Sequence, residues 1–209
     1  MKSISKKTIR VGILTSSSGG LLKAVIEARQ AKKLFVDIVK VLSDRNCPAL
    51  EIAKNYGLDA VVIEHKTRIE RDREFLSILQ YLDIDYIFLC GYFKILSAEF
   101  IQAFPDRIIN SHPSLLPEFP GIDTDVYRQV LEAQKEYTGV TVHLVDEQVD
   151  HGRILGQFKV KVEKDDTIET LRNRVKAVEN NFFPAVCEVF VQQKIANHKP
   201  PTEKQICVE

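Results

Sequence analysis

The sequence carries no net charge, no long apolar run and no repeated or low-complexity segment, and each absence narrows what the chain can be. Its 29 Lys and Arg are matched by 29 Asp and Glu, and no basic block is long enough to form a nucleic-acid track. Binding to polyanions through bulk charge is therefore not expected. No segment approaches the roughly 20 apolar residues that cross a bilayer. The apolar run 11–14, after Lys2, Lys6 and Lys7, is far too short for a signal-peptide core, so the chain is expected to stay in the cytosol, away from membranes. Four cysteines, at 47, 90, 187 and 207, lack the paired spacing of a metal site, and three of them fall in segments that read as regular structure or its edges. Free thiols are expected, without a metal and without a disulfide framework. What remains, 209 residues with 44% hydrophobic and 28% charged side chains, is the composition of one ordinary globular domain with a sizeable core.

Strand-like and helix-like patterns alternate from the start, which predicts an α/β chain with a mostly parallel, Rossmann-like sheet flanked by helices. Strands are expected at 10–15, 36–42, 60–63 and 86–89, separated by helices at 21–30, 49–56 and 70–82, with Gly57 closing the second helix. Ser97 is the N-cap of a short helix through Phe104, and another strand follows it. After a helix at 125–134, two alternating runs, 138–145 and 154–162, pair as an antiparallel C-terminal addition across the turn 146–152. Thr167 caps a long final helix to about Val191, with Pro184 as a kink or break. The polar tail 197–209 is expected to be mobile, and its Pro200-Pro201 pair cannot extend the helix.

The stretch 107–150 carries the most chemistry. A short apolar run, Arg107-Ile108-Ile109, leads into Asn110-Ser111-His112 and then a loop with three prolines and a glycine within nine residues, Pro113 to Gly121. Alternate side chains of a strand share a face, so Asn110 and His112 project together at its carboxyl end, where open α/β sheets bind ligands. The prolines fix φ and hold the two polar groups still. Taken singly, Asn110 fits a turn cap and His112 a satisfied core histidine. The loop Asp146-Glu147-Gln148-Val149-Asp150 changes that balance, because it brings a carboxylate that can orient the imidazole.

A second candidate is the run Thr15-Ser16-Ser17-Ser18-Gly19-Gly20 between the first strand and helix. Backbone N–H groups at a helix start favour an anion there. The run matches neither the dinucleotide fingerprint nor the P-loop pattern, and a Ser/Gly turn that merely closes a strand fits it equally well.

On Gly91-Tyr92-Phe93-Lys94-Ile95-Leu96-Ser97, the run 107–121 and the spacing to Asp150, the chain resembles the folate-dependent formyltransferases, and among them those of purine synthesis, over about 11–191. The resemblance implies one formyltransferase domain over 1–196. It implies transfer of a formyl group from 10-formyltetrahydrofolate, as cosubstrate, to the amine of glycinamide ribonucleotide, with no metal and no nucleic-acid or membrane partner, in a monomer or homodimer. By the same likeness Asn110, His112 and Asp150 match the catalytic trio, with Asn110 also at the folate. Phe93, Lys94, Ile95 and Leu96 match the segment whose backbone receives the pterin, and Arg68 matches a folate or substrate contact. Ser18, Gly19, Gly20 and Leu21 match the phosphate loop, and Glu179 matches the carboxylate that holds the ribose.

The residue types fit that chemistry. Attack of an amine on a formyl carbonyl builds charge on oxygen, for which an Asn amide and a protonated imidazole are donors, with a carboxylate to orient the ring and handle the proton. The chain departs from the family pattern at Ser17, Gly20 and Leu21, where Leu21 replaces an asparagine donor, at Arg153 in place of proline, and at Asn180 in place of histidine. The altered loop leaves formylation of another amine, such as an amino sugar nucleotide, as an alternative. A noncatalytic folate- or nucleotide-binding homologue is a third. Arg153 reads as a solvated strand-start residue or an inward anion ligand, His143 as a hydrogen-bonded supporting residue, and His151 as a surface residue. The charged run 66–74 reads as the exposed start of a helix.

Overall fold

A strand covered on both faces has no need of polar alternation, and YIFL, buried at every position, is such a strand. In the computed structural model, which describes residues 8–121, 123–197 and 206–208, it is β4 (Tyr86–Leu89) of an eight-stranded sheet. Before it come β1 (Ile9–Thr15), α1 (Gly20–Gln30), β2 (Val36–Ser43), α2 (Pro48–Asn55), β3 (Ala60–Val62) and α3 (Arg68–Tyr81). After it come α4 (Ala98–Ala103), β5 (Ile108–His112), α5 (Asp123–Glu132), β6 (Tyr137–Leu144), β7 (Ile154–Lys161), α6 (Ile168–Asn197) and β8 (Ile206–Val208). The order across the sheet is β3-β2-β1-β4-β5-β6-β7-β8. The first five strands are mutually parallel, and β6 is antiparallel to both β5 and β7, as the alternating runs predict.

Neighbouring residues of the central strands feed opposite cores. Ile13, Phe88 and Ile109 join the apolar cluster under α1, α2, α5 and α6, whereas Leu14, Ile87 and Ile108 join the cluster under α3 and α4. On the first side, Phe88 meets Phe183 edge-on at 5.7 Å and Tyr86 meets Phe190 at 5.8 Å, so α6 is anchored directly over β4. On the second side, a Cβ at Gly12 would fall 2.5 Å from Leu79 Cδ2, which shows how closely α3 lies on β1.

Of the boundaries that differ from the sequence expectation, three have a clear physical cause. Helix α3 starts at Arg68, because Thr67 Oγ1 accepts the Glu70 amide at 3.3 Å and donates to Glu70 Oε2 at 2.8 Å, a capping arrangement encoded by the Thr-x-x-Glu spacing. Helix α6 continues through Pro184 to Asn197 and neither breaks there nor ends at Val191. Phe182 and Phe183 before the proline, and Val186, Cys187 and Phe190 after it, hold both halves against the sheet, which offsets the missing N–H. Most of the tail lies outside the described residues, but 206–208 pairs with Gly156, Gln157 and Phe158 and completes the ladder along β7. That part of the tail belongs to the sheet.

The strand order reverses at β1, whose neighbours are β2 on one side and β4 on the other. Chains leaving the carboxyl ends of β1 and β4 diverge there and open a crevice, the usual ligand position of such sheets.

Candidate active site

The crevice is a cleft of about 1170 Å³. Its walls come from the loop after β1 and the first residues of α1 (Ser17, Ser18, Gly20, Leu21), the segment after β4 (Gly91 to Leu96), the end of β5 (Asn110, Ser111, His112) and the loop Val145 to Asp150. Arg172, Lys176, Glu179 and Asn180 close it from α6, and Arg45 and Arg68 stand at its edge. The two central loops are stitched together. Ser16 N donates to Gly91 O at 2.9 Å, and a side chain at Gly91, whose φ is 67°, would strike Ser17 Oγ at 2.4 Å. Only glycine fits between them.

Asn110, His112 and Asp150 meet in this cleft, and His143 joins them. Asn110 and His143 are cross-strand partners on β5 and β6, with Asn110 Nδ2 3.3 Å from His143 Nε2. His143 Nδ1 donates to the Leu144 carbonyl at 2.9 Å, and Nε2 is shared between the Asn110 amide and Asp150, which leaves an Asn110 N–H for a ligand. Asp150 faces both histidines, Oδ2 at 3.4 Å from His112 Nδ1 and Oδ1 at 3.6 Å from His143 Nε2. Burial alone would push the Asp150 carboxyl up. The hydrogen bond with His143, the charge of His112, the Gly121 amide at 2.9 Å and the charge of His143 outweigh burial and hold it below the usual carboxylate range. It is therefore an anion at neutral pH.

The proline-rich loop holds its shape through hydrogen bonds as well as rings. Thr141 Oγ1 donates to Ser114 O at 2.6 Å and accepts from Leu116 N at 3.0 Å, and Gln157 Nε2 donates to Leu116 O at 2.9 Å. The Leu116-Pro117 bond is cis. The loop returns over the histidine, so that His112 Nε2 donates to Phe119 O at 2.7 Å. Both ring nitrogens of His112 thus have acceptors, and the ring with a proton on each is the form that satisfies both neighbours.

The 93–96 segment presents an open backbone. It has neither helix nor strand, and among the described residues the amides and carbonyls of Phe93, Lys94 and Leu96 have no hydrogen-bond partner. Polar backbone at a cleft wall is a ready ligand surface. Phe93 and Ile95 expose 44% and 60% of their surface beside it. What holds the segment was not legible in the sequence. Arg71 and Asp72, in the run expected to be exposed, are buried at 7% and 1% exposure. Arg71 Nε and Nη2 donate to Asp72 Oδ1 at 2.9 and 2.6 Å, Arg71 Nη2 also reaches Ile95 O at 3.2 Å, and Asp72 Oδ2 accepts from Ser97 N at 2.6 Å.

Of the loop residues expected at a phosphate, Ser18, Gly20 and Leu21 line the cleft, and Gly19 does not. Gly19, at φ 88°, lies against α2, where a Cβ would stand 2.8 Å from Ala49 Cα. Its place is structural. Leu21 belongs both to the cleft wall and to the core under α1. Asp44, which sequence reasoning passed over, accepts from Ser16 Oγ at 2.5 Å and pairs with Arg45 at 3.2 Å, so a carboxylate stands beside the loop. Glu179 is buried on the cleft face of α6 with Lys176 Nζ 3.9 Å away, and its charge joins burial in pushing the Cys90 thiol up. Arg153 lies over the Phe190 ring at 6.0 Å and is not part of the cleft wall. His151 is exposed, with Nδ1 3.5 Å from Asp146. Among the described residues no cluster suited to a metal ion occurs, and no helix is long and apolar enough to cross a membrane.

Comparison with known proteins identifies the family. The formyl transferase sequence pattern matches residues 9–187. The human trifunctional purine biosynthetic protein adenosine-3 is 38% identical over 191 residues, which are 90% of this chain and 19% of that protein. The chain thus spans under a fifth of the trifunctional relatives' length. Phosphoribosylglycinamide formyltransferase of Haemophilus influenzae is 34% identical over 190 residues, 89% of each chain. The crystal structure of glycinamide ribonucleotide transformylase 1 from Symbiobacterium toebii is similar with a TM-score of 0.86 at 36% identity, covering 90% of this chain and 89% of that one. A pattern running from β1 into α6, around a cleft built from the ends of β1, β4 and β5, makes this chain a member of the formyl transferase family.

Proposed function

We propose that the chain transfers the formyl group of 10-formyltetrahydrofolate to the primary amine of glycinamide ribonucleotide. The observation that carries this reading is the sharing of one cleft by Asn110, the His112 and Asp150 pair, and the open 93–96 backbone. The names of the Haemophilus influenzae and Symbiobacterium toebii proteins, which are similar along nearly their full lengths, support the choice of substrate.

In this reading the pterin edge meets the unpaired backbone groups of 93–96, with Arg68 at the acidic end of the folate. The amine lone pair attacks the formyl carbon, a C–N bond forms, and the carbonyl π electrons move onto oxygen. The free N–H of Asn110 faces that oxygen, and the charge on His112 stabilises it through space. For His112 to donate directly, Phe119 O must release Nε2–H. The attacking nitrogen becomes cationic and acidic enough to give a proton to the Asp150 carboxylate. The intermediate then collapses with cleavage of the bond to N10, and the same proton passes to N10, giving the formamide and tetrahydrofolate. The substrate phosphate is held by backbone amides of Ser18 and Gly20 at the start of α1, with Gly19 shaping the turn, and the ribose by Glu179.

One observation favours a second amine. Leu21 offers no donor and Asp44 beside the loop is already paired with Arg45, which leaves a phosphate there to the backbone amides alone. The purified chain is therefore assayed with 10-formyltetrahydrofolate and, in parallel, glycinamide ribonucleotide or amino sugar nucleotides. Preferred turnover of glycinamide ribonucleotide is the expected result. Turnover of sugars alone overturns the purine assignment, and binding of both ligands without turnover overturns catalysis.

A further inference from the structure

We propose that Arg71 and Asp72 are positioning residues that hold the 93–97 segment in the shape that leaves its backbone open to the folate. The identity of the ligand rests on the formyl-transfer reading above. The mechanical part rests on hydrogen bonds. Among the described residues, the only polar tethers from the rest of the protein to the backbone of 93–97, apart from the first turn of α4, are Arg71 to Ile95 O at 3.2 Å and Asp72 to Ser97 N at 2.6 Å.

A buried ion pair is a poor device for stability alone, because apolar side chains of the same volume pack as well or better. What this pair adds is direction. The two Asp72 oxygens divide the work, Oδ1 fixing the guanidinium and Oδ2 fixing the start of α4, and the guanidinium carries that fix to Ile95 O. Arg71 also lies over the Tyr92 ring at 5.8 Å, so the residue that precedes the stretch and Ile95 within it are registered on one side chain. With Ile95 O and Ser97 N taken, the amides and carbonyls of Phe93, Lys94 and Leu96 stay unpaired at the cleft wall. The pair thus acts on folate without needing to touch it.

The test separates folate binding from everything else. Arg71→Met should raise the KM for 10-formyltetrahydrofolate about tenfold and weaken tetrahydrofolate binding, followed by titration, by the same factor. The KM for the amine and kcat at saturating folate should stay within about twofold. Arg71→Lys, which keeps the ion pair and a donor for Ile95, should recover folate affinity to within about threefold of wild type. If circular dichroism shows that Arg71→Met does not fold, Arg71→Gln carries the same expectation, since it cannot hold Asp72 and Ile95 together. Equal rises in both KM values, a fall in kcat with unchanged folate KM, or failure of the lysine rescue overturns the positioning role while formyl transfer by the wild type still stands. A wild-type protein that neither binds tetrahydrofolate nor transfers a formyl group overturns both.

Discussion

Asp150 unites charge and backbone at one position, and substitutions separate the two. Its φ of 53° lies in the left-handed region, which Asn tolerates and Ala does not, so Asp150→Asn removes the charge without adding strain. Turnover should fall about 10²- to 10⁴-fold, the range for loss of a positioned acid-base group. The lowered pKa gives a second readout. Because the folded protein holds this proton less readily than the unfolded chain, the carboxylate stabilises the fold above the ordinary value of 3.8, and that contribution is lost as pH falls through the lower folded value. Urea midpoints of Asp150→Asn should therefore decline less steeply than those of wild type between about pH 5 and pH 2. Parallel acid limbs would show that Asp150 carries no such linkage. At the loop proposed to hold the phosphate, Leu21→Asn should lower the KM for glycinamide ribonucleotide and reduce stability by about 2 kcal/mol, because an apolar core contact is lost. An unchanged KM would place the phosphate elsewhere. The residues of the site were legible to different degrees for a physical reason. Asn110, His112 and Asp150 sit in local patterns, a strand end and a polar turn, that announce themselves. Arg71 and Asp72 sit in a helical charge run that reads as solvated, and their burial depends on a segment 24 residues away folding across them. His143 was read as a supporting residue, but nothing local to β6 shows that it faces Asp150.

Among the elements, the β6 and β7 hairpin positions Asp150, and its turn is unusually intolerant of bulk. A Cβ at Gly152 would lie 1.9 Å from Leu144 O and 2.8 Å from Leu144 C, both backbone atoms that cannot swing aside. Gly152→Ala should cost about 3 kcal/mol or more and also reduce turnover, because the turn carries Asp150. Gly12→Ala supplies the contrast. Its obstacle is the flexible end of Leu79, so about 1–2 kcal/mol and normal turnover are expected. Urea denaturation with parallel assays checks both, and equal midpoints for Gly152→Ala and wild type would contradict the turn geometry. Element types and their order followed from periodicity, whereas ends did not. Helix α6 outlasts its proline because five apolar side chains around it hold to the sheet, a tertiary effect that helix propensity cannot register. Likewise β8 exists only through its pairing with β7.

For the whole molecule, one cleft at the strand-order reversal should take both ligands, so occupancy ought to stabilise the entire fold. Tetrahydrofolate at 100 times its Kd adds about 2.7 kcal/mol, which for a chain of this size is roughly 5–10 °C in Tm. A Tm independent of tetrahydrofolate, measured by scanning calorimetry, would remove folate from the cleft. In the proposed transfer, an amide on β5 acts on the same carbonyl that the Asp150 proton chemistry serves. This role is tested most directly by the steady-state rate of formyl transfer to glycinamide ribonucleotide in Asn110→Ala, at saturating substrates and with the urea midpoint shown to match wild type. The kcat should fall about 10²- to 10³-fold, the loss expected when one oxyanion donor is removed. A folded Asn110→Ala that turns over at the wild-type rate would contradict it.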